Sequence, residues 1–180
     1  MRSPPLSSPI PAQVRGAPGL AWFNTAPAAA AEAALLECCG SRRWAHRVAA
    51  HRPYPDLEAL LAASDEAGYD LSQADLAEAL ADEASADLHH GAPPAAHLAL
   101  RAAHAAYEAT FGYAFVICLD GIPAAEHPAQ VLAGIRGRLG HEKDEERSVA
   151  ADELRRLARG RLRAMLGADL TFCGPDTPAR

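Results

Sequence analysis

Residues Phe111 to Leu119, FGYAFVICL, interrupt a chain that is otherwise written in Ala, Leu and Arg at helical spacing. Phe111, Tyr113, Phe115, Val116 and Ile117 are aromatic or β-branched and favour an extended backbone, and Gly112 can release the helix before them. An extended segment inside a helical domain presents N–H and C=O groups that no neighbouring turn satisfies. Those groups need partners. A connector buried on the core and the wall of a ligand pocket are the two readings this segment leaves open.

On either side the pattern is helical. Thr25 and Pro27 open a first helix through Leu35 and Leu36 to Gly40. Ser41 caps a second, through Trp44 and Val48, that ends at Arg52-Pro53. Asp56 caps a third with Leu57, Leu60 and Leu61, and Ser72 a fourth in which Leu76 and Leu80 recur four apart. A polar stretch from about Ala84 to Pro94 separates the halves. A fifth helix (95–110) precedes the extended segment, a sixth runs from 128 to 139, and the longest from about 142 to 166, with Val149, Leu154, Leu157, Leu162 and Met165 as its apolar stripe. The expected fold is all-α: a single-domain bundle of about seven helices with one extended segment near residues 112–119.

Five prolines within residues 1–20 predict a disordered arm, and residues 167–180 read as a flexible tail, leaving 21–166 as the folded domain. At 180 residues, 49% of them hydrophobic, one core is affordable to the chain. A net charge of −6 argues against a nucleic-acid surface, and no run of 18 apolar residues exists to span a membrane. Arg136, Arg138, Arg147, Arg155, Arg156, Arg159, Arg161 and Arg163 cluster late, mostly alternating with acids as a solvated helix face does. The cysteines (Cys38, Cys39, Cys118, Cys173) have neither metal-ligand spacing nor disulfide density, so a reduced, cytoplasmic protein is expected.

The chemistry has few candidates. No glycine-rich phosphate loop or nucleophile elbow occurs. Eight histidines invite a metal, but His89 and His90 diverge and His97 and His104 lie two turns apart, so no metal is expected. His46 and His51 bracket a helix end as surface residues or dipole partners. Asp82 and Glu83 close the fourth helix at the edge of the polar stretch. They are either a solvated helix end or cleft carboxylates able to act as general acid or base. Arg138 ends an apolar helix, where a guanidinium could hold a carboxylate substrate in a fork.

Several short motifs recur in one known family. Phe23-Asn24, Cys38-Cys39-Gly40-Ser41 with Trp44, and Arg52-Pro53-Tyr54 stand in the first half. Tyr107-Glu108, Phe111-Gly112, Phe115-Val116-Ile117-Cys118, Arg138-Leu139 and Glu146 stand in the second. Over residues 22–166 the chain resembles the 2-oxo-4-hydroxy-4-carboxy-5-ureidoimidazoline (OHCU) decarboxylases of the urate-to-allantoin route. The resemblance implies an all-α fold, commonly homodimeric, and a small-molecule carboxy-lyase activity without cofactor. It implies that Phe115, Val116, Ile117, Cys118 and Leu119 contact the ureidoimidazoline ring and that Arg138 holds a substrate carboxylate.

The chain departs from the family pattern at the acid–base machinery. The catalytic His of the family's His-Pro motif falls at about Glu83, and His127-Pro128 lies in another part of the chain. The family's Ser-x-x-Glu-Gln has no counterpart, since Gly91 to His97 is several residues too short to hold it. His104 and His141 stand where the family has Asn. Glu83 could serve as the acid in place of the catalytic imidazole, and His89, His90, His97 or His104 could swing into the pocket; Glu83, His104 and Arg138 are the residues named for catalysis. The alternatives are a binding module that keeps the pocket without turnover, or an enzyme for a different acid.

Overall fold

The computed structural model describes residues 19–83 and 94–167. They form α1 (Leu20–Thr25), α2 (Ala28–Leu36), α3 (Arg42–Ala50), α4 (Leu57–Tyr69), α5 (Gln73–Asp82), α6 (Pro94–Phe111), a 3₁₀ turn (Ala124–Glu126), α7 (His127–Arg138) and α8 (Lys143–Leu166). Among the described residues no strand pairs, and the fold is all-α. The expected arm, most of the central polar stretch and most of the tail lie outside the described residues.

Local chemistry explains the helix starts. The Ser41 hydroxyl accepts the Trp44 amide, and Asp56 accepts the Ala59 amide. Ser72 and Asp75 cap one another reciprocally at the start of α5. The expected Thr25 cap is corrected. Thr25 ends an extra short helix, α1, its hydroxyl returned to the Ala21 carbonyl at 3.0 Å, and Pro27 stands at the N-cap of α2. The described residues thus hold eight α-helices, in keeping with the expected bundle of about seven. Six residues are too few to show a helical period in sequence; Phe23, fully buried, and tertiary ties hold them. Asn24 exchanges two hydrogen bonds with the Tyr54 backbone, both 2.8 Å, and Arg52 donates to the carbonyls of Phe23 and Ala26.

The buried side chains form two clusters. The larger joins Phe23, Leu35, Trp44, Leu60, Leu61, Leu80, Leu154 and Leu162, with α2 against α3, α3 against α4 and α4 against α8. The smaller joins Leu100, Tyr107, Phe115, Val131 and Ile135 where α6 meets α7. The segment after Gly112, whose φ of 85° suits glycine, stitches the two together. Phe115 enters the small cluster and Val116 the large one, because successive side chains of an extended backbone point to opposite sides. Burying such a side chain contributes about 1.5–3 kcal/mol, so the segment is anchored from both sides.

Candidate active site

A cleft of about 430 Å³ lies between the end of α5, the loop after α2 and the last turns of α8, lined by Leu36, Glu37, Gly40, Asp82, Glu83 and Arg161. Its centre is a bidentate pair. Arg161 donates through Nη1 and Nη2 to the two carboxylate oxygens of Glu83, at 2.6 and 2.8 Å, and Nη1 also reaches the Cys38 carbonyl at 3.0 Å. The bond it donates to Glu83 holds the Arg161 guanidinium above its ordinary pKa despite burial. The fork joins the two halves of the chain: Glu83 and Cys38 from the first, Arg161 from the last helix.

The cysteine loop shapes the floor. Cys38 and Cys39 are buried, and burial pushes each thiol up to about 11, so both stay protonated near neutrality. Gly40 admits the Asp82 side chain, since a β-carbon there would stand 2.6 Å from the Asp82 Cβ. Leu36 supplies the apolar edge.

The extended segment runs beside α7 and α8 rather than free in solvent. Val116 accepts a 2.7 Å bond from Arg138 Nη1, and the Cys118 amide donates to Glu153 at 2.8 Å. These two groups share one edge of the backbone. On the opposite edge, the Ile117 N–H and C=O have no hydrogen bond among the described residues. Ile117, Cys118 and Leu119 are half-buried, and the segment reaches α8 at Gly160, where a β-carbon would stand 2.7 Å from an Asp120 carboxylate oxygen. That contact is one residue before Arg161.

The expected site residues separate into two groups. Glu83 lies in the cleft, its side chain 9% exposed and locked to Arg161. Neither Arg138 nor any of Phe115, Val116, Ile117, Cys118 and Leu119 is among the residues lining that cleft. The Arg138 guanidinium is turned inward onto Glu146, Val116 and Tyr107 and stacks over the Phe115 ring at 4.5 Å. His104 is buried with its ring edge-on to Phe115 of the small cluster, centroids 6.2 Å apart. His89 and His90 lie outside the described residues. No group of three or more His, Cys, Asp or Glu side chains among the described residues could hold a metal.

Arg161 is the residue that sequence reasoning passed over, grouped with the solvated arginines of α8. A signal was present. Arg161 follows Leu154 by seven residues and so shares the apolar face with Ala158 and Leu162, both buried. Gly160 beside it, inside a long helix, marks a close approach by another part of the chain.

The sequence profile of OHCU decarboxylase matches the chain in two pieces, residues 24–85 and 81–163, which meet at the end of α5 beside Glu83. No curated protein matches. The crystal structure of an (S)-allantoin synthase superposes with a TM-score of 0.63 at 20% identity, covering 82% of this chain and 54% of that one, so the chain spans about half its length. The crystal structure of an OHCU decarboxylase determined in the presence of (S)-allantoin superposes with a TM-score of 0.63 at 18% identity, covering 73% of this chain and 96% of that one. The described residues contain no helix long and apolar enough to cross a membrane. With its profile matched from Asn24 to Arg163 and its helices arranged as in that fold, the chain belongs to the OHCU decarboxylase family.

Proposed function

We propose that the cleft between α5 and α8 is the site of a cofactor-independent carboxy-lyase acting on OHCU or a related ureidoimidazoline acid. One observation carries this reading. The Arg161–Glu83 fork opens on a cleft of about 430 Å³, and its carboxylate stands where the family pattern has a catalytic histidine. A substrate carboxylate takes the guanidinium in the geometry that Glu83 now fills, which orients the bond to be broken. Loss of carbon dioxide breaks that C–C bond and leaves its electron pair on the ring. Glu83, displaced from the guanidinium by the substrate carboxylate, takes a proton from water and then gives it to the carbanion-like carbon, forming the new C–H bond and returning as the carboxylate. The 115–119 segment does not line this cleft; what brings it near is the approach of Asp120 to Gly160, one residue before Arg161. A homodimer and a cytoplasmic setting belong to the same reading.

Freshly generated OHCU, incubated with the protein and followed by the circular dichroism of allantoin, tests this function. Faster decay and a single enantiomer are expected. Arg161→Met and Glu83→Gln are each expected to lower kcat/KM by about 10² to 10⁴. Decay no faster than the spontaneous reaction removes the proposed activity.

A second reading is favoured by the cleft's charge. Glu37, Asp82 and Glu83 face one guanidinium, an unwelcoming balance for an anionic substrate. A relative that binds a small molecule without turnover, or acts on a different acid, accommodates it. That reading expects a purine-degradation metabolite to raise Tm without being consumed.

A further inference from the structure

We infer that Arg138 is a positioning residue that sets the backbone of the 115–119 wall, rather than a group that touches the ligand. This inference rests on the proposed site, which the wall approaches where Asp120 meets Gly160. Three partners hold the guanidinium from three directions. Nε and Nη2 donate to one carboxylate oxygen of Glu146 on α8, at 2.8 and 2.5 Å. Nη2 meets the Tyr107 hydroxyl of α6 at 3.4 Å, and Nη1 donates to the Val116 carbonyl at 2.7 Å. Glu146 is fully buried and accepts from Tyr107 as well, while its other oxygen contacts His141 Nδ1 at 2.8 Å.

The guanidinium therefore links α6, α7 and α8 to a single carbonyl of the wall. Turning the Val116 carbonyl inward also turns the Ile117 N–H and C=O outward, because neighbouring groups alternate along an extended backbone. With the Cys118 amide tied to Glu153, the wall is fixed at two points on one edge and presents the other. A lysine cannot replace the fork: its point charge holds either Glu146 or the Val116 carbonyl in place, not both in one plane.

Hydrogen exchange followed by mass spectrometry on the full chain tests the assignment in Arg138→Lys, Arg138→Met and Glu146→Gln. The Cys118 amide, the one amide of 116–119 held by a hydrogen bond among the described residues, is expected to exchange about tenfold faster or more, while those of α3 and α4 keep their wild-type rates. Glu146→Gln keeps the shape of the buried acceptor, so at least one variant folds if Arg138→Met does not. Wild-type exchange at the Cys118 amide in folded Arg138→Lys and Glu146→Gln overturns the inference. The measurement needs no ligand. A protein that turns over no ureidoimidazoline yet shows the faster exchange counts against the proposed function alone. With turnover present, Arg138→Lys is expected to lower kcat with the loss not confined to KM; a rise in KM alone assigns Arg138 to the substrate and also overturns the inference.

Discussion

At Gly40 the whole arrangement of the cleft depends on a missing methyl group. A β-carbon there would stand 2.6 Å from the Asp82 Cβ and 2.9 Å from one of its carboxylate oxygens. The Cβ is fixed to the backbone of α5 and cannot swing aside, so Gly40→Ala must move either the cysteine loop or the end of α5. Overpacking of this kind costs about 1–3 kcal/mol, and a lower midpoint in urea with an unchanged slope is the expected outcome. The same displacement pulls the Cys38 carbonyl from Arg161, so ligand-induced stabilisation is expected to fall as well. Gly68 is tight as well: its β-carbon would stand 2.8 Å from Cγ and Cδ of Arg155, whose guanidinium stacks on the Tyr69 ring. Gly68→Ala is expected to lower the midpoint by displacing that stacked side chain.

Among the elements, α7 carries the seat of the wall. Two of its glycines differ in their surroundings. A β-carbon at Gly134 would stand 3.0 Å from the Phe115 ring and 3.3 Å from Ile117 Cδ1, whereas one at Gly137 meets nothing within 4 Å. Helix propensity favours alanine over glycine by about 1 kcal/mol at both positions. Gly137→Ala is therefore expected to raise Tm, while Gly134→Ala loses that gain to the displaced Phe115 ring and lowers Tm; calorimetry on the pair measures the difference. Equal shifts of the same sign would show that Phe115 and Ile117 do not rest on α7. The reason for the tight seat is the stitch itself, since Phe115 and Val116 enter different clusters and neither can move alone.

At the scale of the molecule, the Glu146 carboxylate joins three helices and titrates as part of the fold. Burial raises its pKa, but the bonds from Arg138 and Tyr107 and the charge of Arg138 outweigh that and hold it below the usual 4.5. The folded protein thus releases this proton at lower pH than the unfolded chain does. Between the two pKa values the unfolded state binds more protons, so stability rises with pH there and is lost as pH falls through the folded value. Glu146→Gln is expected to be less stable than wild type at pH 7 and to have a shallower loss of Tm as pH falls below about 4.5, as thermal melts from pH 3 to 7 would record. Parallel curves would show that Glu146 contributes nothing to the acid limb.

The sequence by itself determined what depends on neighbours along the chain: the caps at Ser41, Asp56 and Ser72, the stripes of α4, α5 and α8, the release at Gly112 and the extended segment after it. Short-range hydrogen bonds and side-chain periodicity carry those features, and both are written locally. Glu83, closing a helix beside a polar stretch, left two readings open in the sequence, a solvated helix end and a cleft carboxylate, and the fold places it at the cleft. Its partner was not legible there. Arg161 lies 78 positions away, and only the packing of α8 across the end of α5 brings its fork onto Glu83. The inward turn of Arg138 was likewise decided in three dimensions, by a buried carboxylate on another helix that attracts the nearest cation more strongly than solvent can. The FGYAFVICL segment combines both levels. Its composition makes it extended, while the helices beside it decide which edge is held and which is offered.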